Sequence, residues 1–325
     1  MNNTIPHHKI CIAPMINWTD RHYRYMMRLI TQKTMLYTEM TTTNSIMHGT
    51  YKKLLKHSYQ EKPLTLQLAC NNPRTLSCCA KLAEEIGFDG INLNVGCPSN
   101  RVYKGDFALS LMYKPNLVAE CVNAMKKSTQ IPISIKCRTG VDNYESLEKL
   151  EHFIKCVTEA EVDYIFIHAR KGWLKLNPKE NRTIPPLQYN KVYQTKLLFP
   201  ETFIGINGGI KTLEEMQEHL KYVDGVMIGR QAYHQPMLFK EIDHVFYQQP
   251  KNYLTPFEVA DLLIPYIEKE LRKNRVKLHH IIRHAFNLFN GHPMSKLYRR
   301  FLSEHACIKN ADTKIFKQAV SYIKQ

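Results

Sequence analysis

Across its 325 residues the chain has no apolar run near the roughly 20 residues needed to cross a bilayer as a helix. Residues 1–9 are polar and hold no hydrophobic stretch of the secretory-signal kind. No Cys-x-x-Cys pair occurs, and Cys78 and Cys79 are adjacent, so the common zinc and thioredoxin spacings are missing and no metal site is expected. No Gly-x-Gly-x-x-Gly follows a β-like run, so a Rossmann dinucleotide site is not indicated. Acidic residues are scarce: 29 Asp and Glu face 45 Lys and Arg, a net charge of +16 that points to a polyanionic partner or a membrane surface. Nine cysteines is an odd count, and Cys79, Cys121 and Cys156 lie in apolar or helical stretches, which reads as unpaired thiols in a reducing cytoplasm.

What is present is a repeat of short strands. Apolar or β-branched runs occur at 10–13, 34–38, 64–68, 90–95, 133–136, 164–168, 203–207 and 225–228, each closed by Gly, Pro, Cys, Arg or an amide. Stretches with helical periodicity separate most of them. The alternation predicts an α/β fold, a TIM (β/α)8 barrel with its chemistry at the carboxyl ends of the strands. The helices carry start signals: Asn72-Pro73 as N-cap and first turn with Gly87 as the stop, and a capping box at Thr212 to Glu215. The polar linker 248–252 ends the barrel pattern, and a second capping box, Thr255-Pro256-Phe257-Glu258, opens a purely helical region. Val259, Leu262, Leu263, Tyr266 and Leu271 are expected on its inner face, with Pro265 as a candidate kink. The expected domains are therefore a catalytic barrel over 1–247 and a small all-helical domain over 251–325. The latter holds 14 Lys and Arg against 6 Asp and Glu, half of the net charge. It suits a clamp on a nucleic-acid backbone, or else a solvated helical cap.

The strand ends collect one set of polar residues. Asn207-Gly208-Gly209 and, one strand later, Gly229-Arg230 offer backbone N–H groups and a guanidinium to a phosphate at the position where barrels commonly bind one. Lys136 can hold a cation near the N1 and O2 of a flavin ring, Gln67 can meet the pyrimidine edge of the ring, and His168 the ring or ribityl chain. Together they favour bound FMN. Cys97, held between Gly96 and Pro98 in Asn94-Val-Gly-Cys97-Pro98-Ser99, is placed as a proton donor rather than a buried hydrophobe. Asn94 and Arg138 are candidates to read the Watson–Crick edge of an extruded base. The loop with Arg170, Lys171, Trp173, Lys179 and Arg182, and the segment Lys296-Leu-Tyr298-Arg299-Arg300, each mix cations with an aromatic suited to stacking.

These residues resemble a known family. Ala13-Pro14-Met15 with Trp18-Thr19-Asp20-Arg21, Leu93-Asn-Val-Gly-Cys97-Pro98-Ser99 with Arg101-Val102, His168-Ala-Arg-Lys171 with Pro178-Lys-Glu-Asn-Arg182 and Pro185-Pro186-Leu187, and Asn207-Gly-Gly-Ile210 with Gly229-Arg230 are similar to the tRNA-dihydrouridine synthases of the A type. The resemblance runs over nearly the whole chain. It implies an FMN-bound barrel, a C-terminal helical tRNA-binding domain, and NADPH-driven reduction of the uracil C5–C6 bond at D-loop positions 20 and 20a. It implies Cys97 as the proton donor to C5, and Pro14, Met15, Gln67, Lys136, His168 and the two phosphate turns as FMN contacts. Asn94 is implied as a substrate contact, and Arg182, Arg299 and Arg300 fall in blocks tied to tRNA recognition. The chain departs from the family pattern at Asn17, where Asp is more usual, at Cys137 and Thr139, where His and Ile are usual, and at Phe107-Ala108-Leu109, where Phe-Gly-Ala is usual. The expected protein is a cytoplasmic monomer with tRNA as partner, no membrane association and no obligate protein partner.

The rival readings are an FMN barrel oxidoreductase acting on a free pyrimidine or other small molecule, and a tRNA-binding protein with a vestigial flavin site. A Cys–His hydrolase lacks an Asn or Asp placed to orient His168, and a phosphate-handling isomerase would have only Glu39 as its base.

Overall fold

The computed structural model describes residues 7–99, 106–273 and 276–324. Arg101 and Val102 of the Cys-Pro-Ser block lie outside them. Nine strands form one parallel sheet: β1 (Ile10–Ile12), β2 (Leu36–Tyr37), β3 (Thr41–Thr42), β4 (Leu64–Ala69), β5 (Gly90–Asn94), β6 (Ile133–Arg138), β7 (Tyr164–His168), β8 (Ile204–Asn207) and β9 (Gly225–Ile228). Their order is β1-β9-β8-β7-β6-β5-β4-β2, with β3 added beyond β2 on the same edge of β4. A parallel bridge between Cys11 and Met35 closes the ring, as the eight runs predict for a TIM barrel. The second run is shorter than expected, Leu36–Tyr37, and β3 is an additional short strand that follows it. The fifth is longer, so that Arg138 sits in register with His168.

The chain divides into two compact units. One, the barrel, comprises the residues up to Ile16 and Thr34–Gly229. The other joins Asn17–Lys33 to the residues from Arg230 onward, so the first helix, Arg21–Ile30, belongs with the C-terminal helices.

Inside the barrel, alternate residues point inward. Cys11, Ala13, Met35, Tyr37, Phe166 and Met227 form an apolar cluster, with Tyr164 and Phe203 packed on it. Gly205 leaves room for it: a Cβ there would lie 2.4 Å from the Phe166 ring. The other side of the interior is polar, lined by Gln67, Asn92, Asn94 and Ser134, all buried.

At the amino end of the barrel one device occurs three times. Asp89, Asp163 and Asp224 each precede a strand and clasp the first residue of the strand before it. Leu64 N, Ile133 N and Ile204 N donate to these carboxylates at 2.8, 2.7 and 2.8 Å. The three Asp N–H groups return bonds to the carbonyls of the same residues, each 2.9 Å. A lysine completes each clasp: Lys62, Lys126 and Lys196, at 3.0, 3.0 and 2.8 Å.

In the helical unit, Asp20 caps the helix Arg21–Ile30 through His22 N and Tyr23 N, and its other oxygen takes the guanidinium of Arg283 at 2.6 Å. His284 Nε2 lies 3.0 Å from the same carboxylate, and Trp18 stacks on Tyr233 at 4.3 Å. Asp243 accepts from Thr31 Oγ1, Gln32 N and Lys33 N. The Trp18-Thr19-Asp20-Arg21 block therefore ties the first helix to the C-terminal ones. The capping box at Thr255 forms, and the helix Pro256–Leu271 runs unbroken through Pro265. Its buried stripe is Val259, Ala260, Leu263, Ile267 and Glu270, whereas Leu262 is exposed, because a four-residue step from Val259 passes through 263 and 267.

Among the described residues no helix is long and apolar enough to cross a membrane. All nine cysteines are free. We predict that Asp163→Ala lowers unfolding stability by about 1–3 kcal/mol, since it strands the buried Ile133 N–H and the Lys126 ammonium together. Urea unfolding checks it, and a midpoint equal to that of the parent would refute the clasp.

Candidate active site at the carboxyl ends of the barrel strands

The site is built by alternation. In β5, Asn92 and Asn94 face inward while Ile91 and Leu93 face the helices. In β6, Ser134, Lys136 and Arg138 alternate with Ile133, Ile135 and Cys137 in the same way. The register pairs Asn94 with Lys136 and Arg138 with His168. Gln67 pairs with Asn92 on the opposite edge of β5.

Cys97 lies just past β5, half-buried, in a turn gripped from two sides. Asn94 Oδ1 accepts from Gly96 N at 3.0 Å and Cys97 N at 2.9 Å. From the other side Arg138 Nε donates to the Gly96 carbonyl at 2.8 Å. Arg138 Nη1 reaches the carbonyls of Lys171 at 3.0 Å and Asn181 at 3.4 Å. Arg138 is 4 % exposed, and burial, with Arg170 and Arg182 adding to it, pulls it down to about 10 while the Cys97 thiol works the other way. So Arg138, expected as a reader of the substrate base, spends Nε and Nη1 on backbone carbonyls. It locks the Cys97 turn to the loop after β7.

That loop is stapled rather than loose. Asn181 is fully buried and donates to the carbonyls of Trp173 and Leu176 while accepting from Trp173 N. Asn177 caps the short turn through Lys179 N and Glu180 N, and Glu180 returns a bond to Asn177 N. The Pro-Lys-Glu-Asn-Arg block is thus a self-capped turn that turns Lys175, Lys179 and Arg182 to solvent. Lys171 covers the face of Trp173, 4.3 Å from its centroid, and pairs with Glu145 at 2.6 Å.

Lys136 is different. Its ammonium has no hydrogen-bond or ion-pair partner among the described residues. Burial and then the like charge of Arg138 pull it from 10.5 down to about 8, against the smaller opposing effects of Cys137 and Cys97. An unpaired cation in such a place calls for an anion or an electron-rich acceptor. The turn after β8 fits a phosphate. Gly208 and Gly209 have φ of 123° and 79°, in the region that favours glycine. Their N–H groups make no backbone hydrogen bond among the described residues. The Gly208 carbonyl is held by Tyr189 Oη at 2.7 Å, and His168 packs so closely that a Cβ at Gly208 would lie 2.8 Å from its ring. Asn207 uses Nδ2 to hold the Met227 carbonyl at 2.7 Å. Half-buried Pro14 and Met15 follow β1, with the Met15 sulfur on the same side as Gly229.

Gln67, Asn94, Cys97, Lys136, Arg138 and His168 are thus at matching strand ends of the barrel unit, with Asn207, Gly208 and Gly209 on β8 and the turn after it. Arg182 is exposed on the same unit. Arg230, exposed, and Arg299 and Arg300, on the helix Ser295–His305, belong to the helical unit. Arg300 lies 4.0 Å from Glu304. Tyr298 is no stacking platform: it is fully buried, packed on Phe289, with its hydroxyl on the Ala285 carbonyl. Unforeseen in the sequence were Asn92, Ser134 and Asn181. For Asn92 and Ser134 the available signal was the alternation of amide or hydroxyl with isoleucine or leucine at 91–94 and 133–135. Among the described residues no His, Cys, Asp and Glu side chains gather as a metal site.

The sequence model of the family described as Dihydrouridine synthase (Dus) matches residues 11–323. A tRNA-dihydrouridine(20/20a) synthase of Synechocystis is 46% identical over 312 residues, 96% of this chain and 93% of the relative. Proteins of the same name from Shewanella oneidensis and Salmonella typhi are 48% and 46% identical, covering 96% and 99% of this chain and 93% and 97% of theirs. The chain belongs to the dihydrouridine synthase family. Among solved structures it is similar in fold to a 2-naphthoyl-CoA reductase and a Rhizobium histamine dehydrogenase, each with a TM-score of 0.52, at 11% and 12% identity. These alignments cover 72% and 74% of this chain and about half of each of those chains, 49% and 46%.

The folded Lys136 gives up its proton below its ordinary pH, so its desolvation penalty is complete below about pH 8 and fades towards pH 10.5. Lys136→Met should therefore stabilise the cofactor-free protein by about 1–3 kcal/mol at pH 7 and by less at pH 9.5. Equal gains at both pH values would remove the charge argument. Ala108 stands at φ 53°, and Leu109 N donates to the Cys97 carbonyl at 3.3 Å. Ala108→Gly should raise stability by about 1 kcal/mol, the strain a left-handed alanine carries. Thermal unfolding decides between a gain and the usual loss on introducing glycine.

Proposed function

We propose that the protein reduces the C5–C6 bond of uridine to 5,6-dihydrouridine in the D-loop of tRNA, at positions 20 and 20a, with bound FMN and with NADPH as reductant. The reading is supported by relatives named tRNA-dihydrouridine(20/20a) synthase that align over nearly the whole chain. The observation that carries the chemistry is Cys97, fixed by Asn94 and Arg138 beside the unpaired Lys136.

The residues fit a flavin. Lys136 would face its electron-rich edge, Gln67 and His168 would flank it, and the N–H groups of Gly208 and Gly209, with Gly229, would take the phosphate. When bound and reduced, the flavin supplies the hydride for C6. The protein supplies the rest. Cys97 donates its proton to C5, and the thiolate left behind takes a proton from solvent, so each turnover consumes one NADPH and one proton. Lys136 and Arg138, both within electrostatic reach of the thiol, offset the negative charge that grows on sulfur as the proton leaves. Asn94 keeps the turn in place during that transfer.

A loop uridine must leave its stack to reach such a site, which costs a few kcal/mol. Phosphate contacts repay it. Lys175, Lys179 and Arg182 on the barrel unit, and Arg299 and Arg300 within the basic C-terminal region, supply them. The nine free thiols suit a reducing, cytoplasmic setting.

Purified protein should show flavin bands that bleach with NADPH under anaerobic conditions and recover on adding unmodified tRNA but not free uridine. Recovery with free uridine or uracil would instead mark a small-molecule oxidoreductase. Cys97→Ala should bind tRNA normally and turn over at least about a hundredfold more slowly, as expected for loss of a general acid; parent-like turnover would take Cys97 out of the mechanism.

A further inference from the structure

Behind the Cys97 turn a single line of hydrogen bonds crosses three strands. Gly96 N and Cys97 N donate to Asn94 Oδ1. Asn94 Nδ2 donates to Gln67 Oε1 at 2.9 Å, and Gln67 Nε2 donates to Asn92 Oδ1 at 2.7 Å. Asn92 Nδ2 donates to Ser134 Oγ at 3.0 Å, and Ser134 Oγ donates to the Ile91 carbonyl at 2.9 Å. Asn92 is fully buried, Gln67 and Ser134 are each 1 % exposed and Asn94 8 %.

Every donor points the same way, from the thiol turn down to Ile91. A side-chain amide can be turned over to exchange its oxygen and nitrogen, and only its partners decide which way it sits. Here both ends decide it alike: the N–H groups of Gly96 and Cys97 require the Asn94 oxygen, and the Ile91 carbonyl takes the Ser134 proton. The one proton of Ser134 is committed to a carbonyl, so its oxygen is left to accept, and Asn92 must present nitrogen to it. Asn92 then presents oxygen to Gln67, Gln67 oxygen to Asn94, and Asn94 oxygen to the turn. Turning Asn94 over would set its NH2 against two backbone donors. Bonds aligned head to tail in a low-dielectric interior also polarise one another.

We propose that Ser134 and Asn92, which do not approach the thiol, are positioning residues for Cys97. They anchor the far end of the chain that runs through Gln67 to Asn94, and so fix the position of the Asn94 amide and with it the Gly96–Cys97 peptides where the acid has to act. The inference rests on the reading of Cys97 as the proton donor.

The test uses the full-length flavin-loaded protein with Ser134→Ala, the mildest break, and Asn92→Ser, which removes the link before it. Two quantities are read: steady-state reduction of unmodified tRNA, resolved into kcat and KM, and the rate of Cys97 alkylation by iodoacetamide, followed on its own peptide by mass spectrometry. Both variants are expected to keep KM for tRNA within about twofold. They should lower kcat about fivefold to tenfold, because geometry lost at the acid costs rate rather than binding. Cys97 should alkylate about threefold faster as its turn loosens. Parent-like kcat and alkylation in both variants, or a raised KM with unchanged kcat, would overturn the proposal. If even the parent fails to reduce tRNA, the functional reading falls, while the alkylation rates still decide whether the chain holds the thiol.

Discussion

Strand register is the constraint on which the site depends. From Ile91 in β5 and throughout β6 every second residue is apolar and faces the helices, and every other is an amide, a hydroxyl or a cation facing inward. A slip of one residue in β6 would put Cys137 and Ile135 into the barrel and press Lys136 and Arg138 into the helix layer. Fully buried parallel strands usually read as continuous apolar runs, which any register satisfies about equally. Here the polar half of the interior removes that freedom. A displaced register would leave amides without partners, and the cost would fall on several groups at once.

Two cations side by side on β6 illustrate opposite solutions to burial. Arg138 is tied down: Nε and Nη1 of its rigid fork meet three carbonyls from two loops. It behaves as a rivet. Lys136, two residues earlier, has no such partner among the described residues, and burial and its neighbour pull it down to about 8. The contrast separates a cation tied to fixed carbonyls from one with no partner among the described residues, a distinction that charge counting cannot make.

Much of this was legible in the sequence. The eight runs, their spacing and the residues that close them led to the barrel and to one mouth, because period-two patterning and breakers are local signals. The helix caps at Asn72, Thr212 and Thr255 were legible for the same reason. What escaped depends on distant partners. Asp20 caps the first helix and also holds Arg283 and His284, more than 260 positions away, so that helix joins the C-terminal ones rather than the barrel. Tyr298 looks like a surface aromatic among cations, but helical phase turns it into the core while Arg300 stays outside. Asn92 and Ser134 have no motif around them, and only the fold sets them in line with Cys97.

The three aspartate clasps join β4 to β5, β6 to β7 and β8 to β9, but each stops at its own pair. Each clasp is closed by residues roughly twenty to thirty positions apart, within one strand–helix–strand segment. Loop closure over so short a span is inexpensive. The greater part of the barrel is therefore made of three couples, each latched within its own strand–helix–strand segment, whereas the first strands carry no such latch among the described residues and are held only by their neighbours.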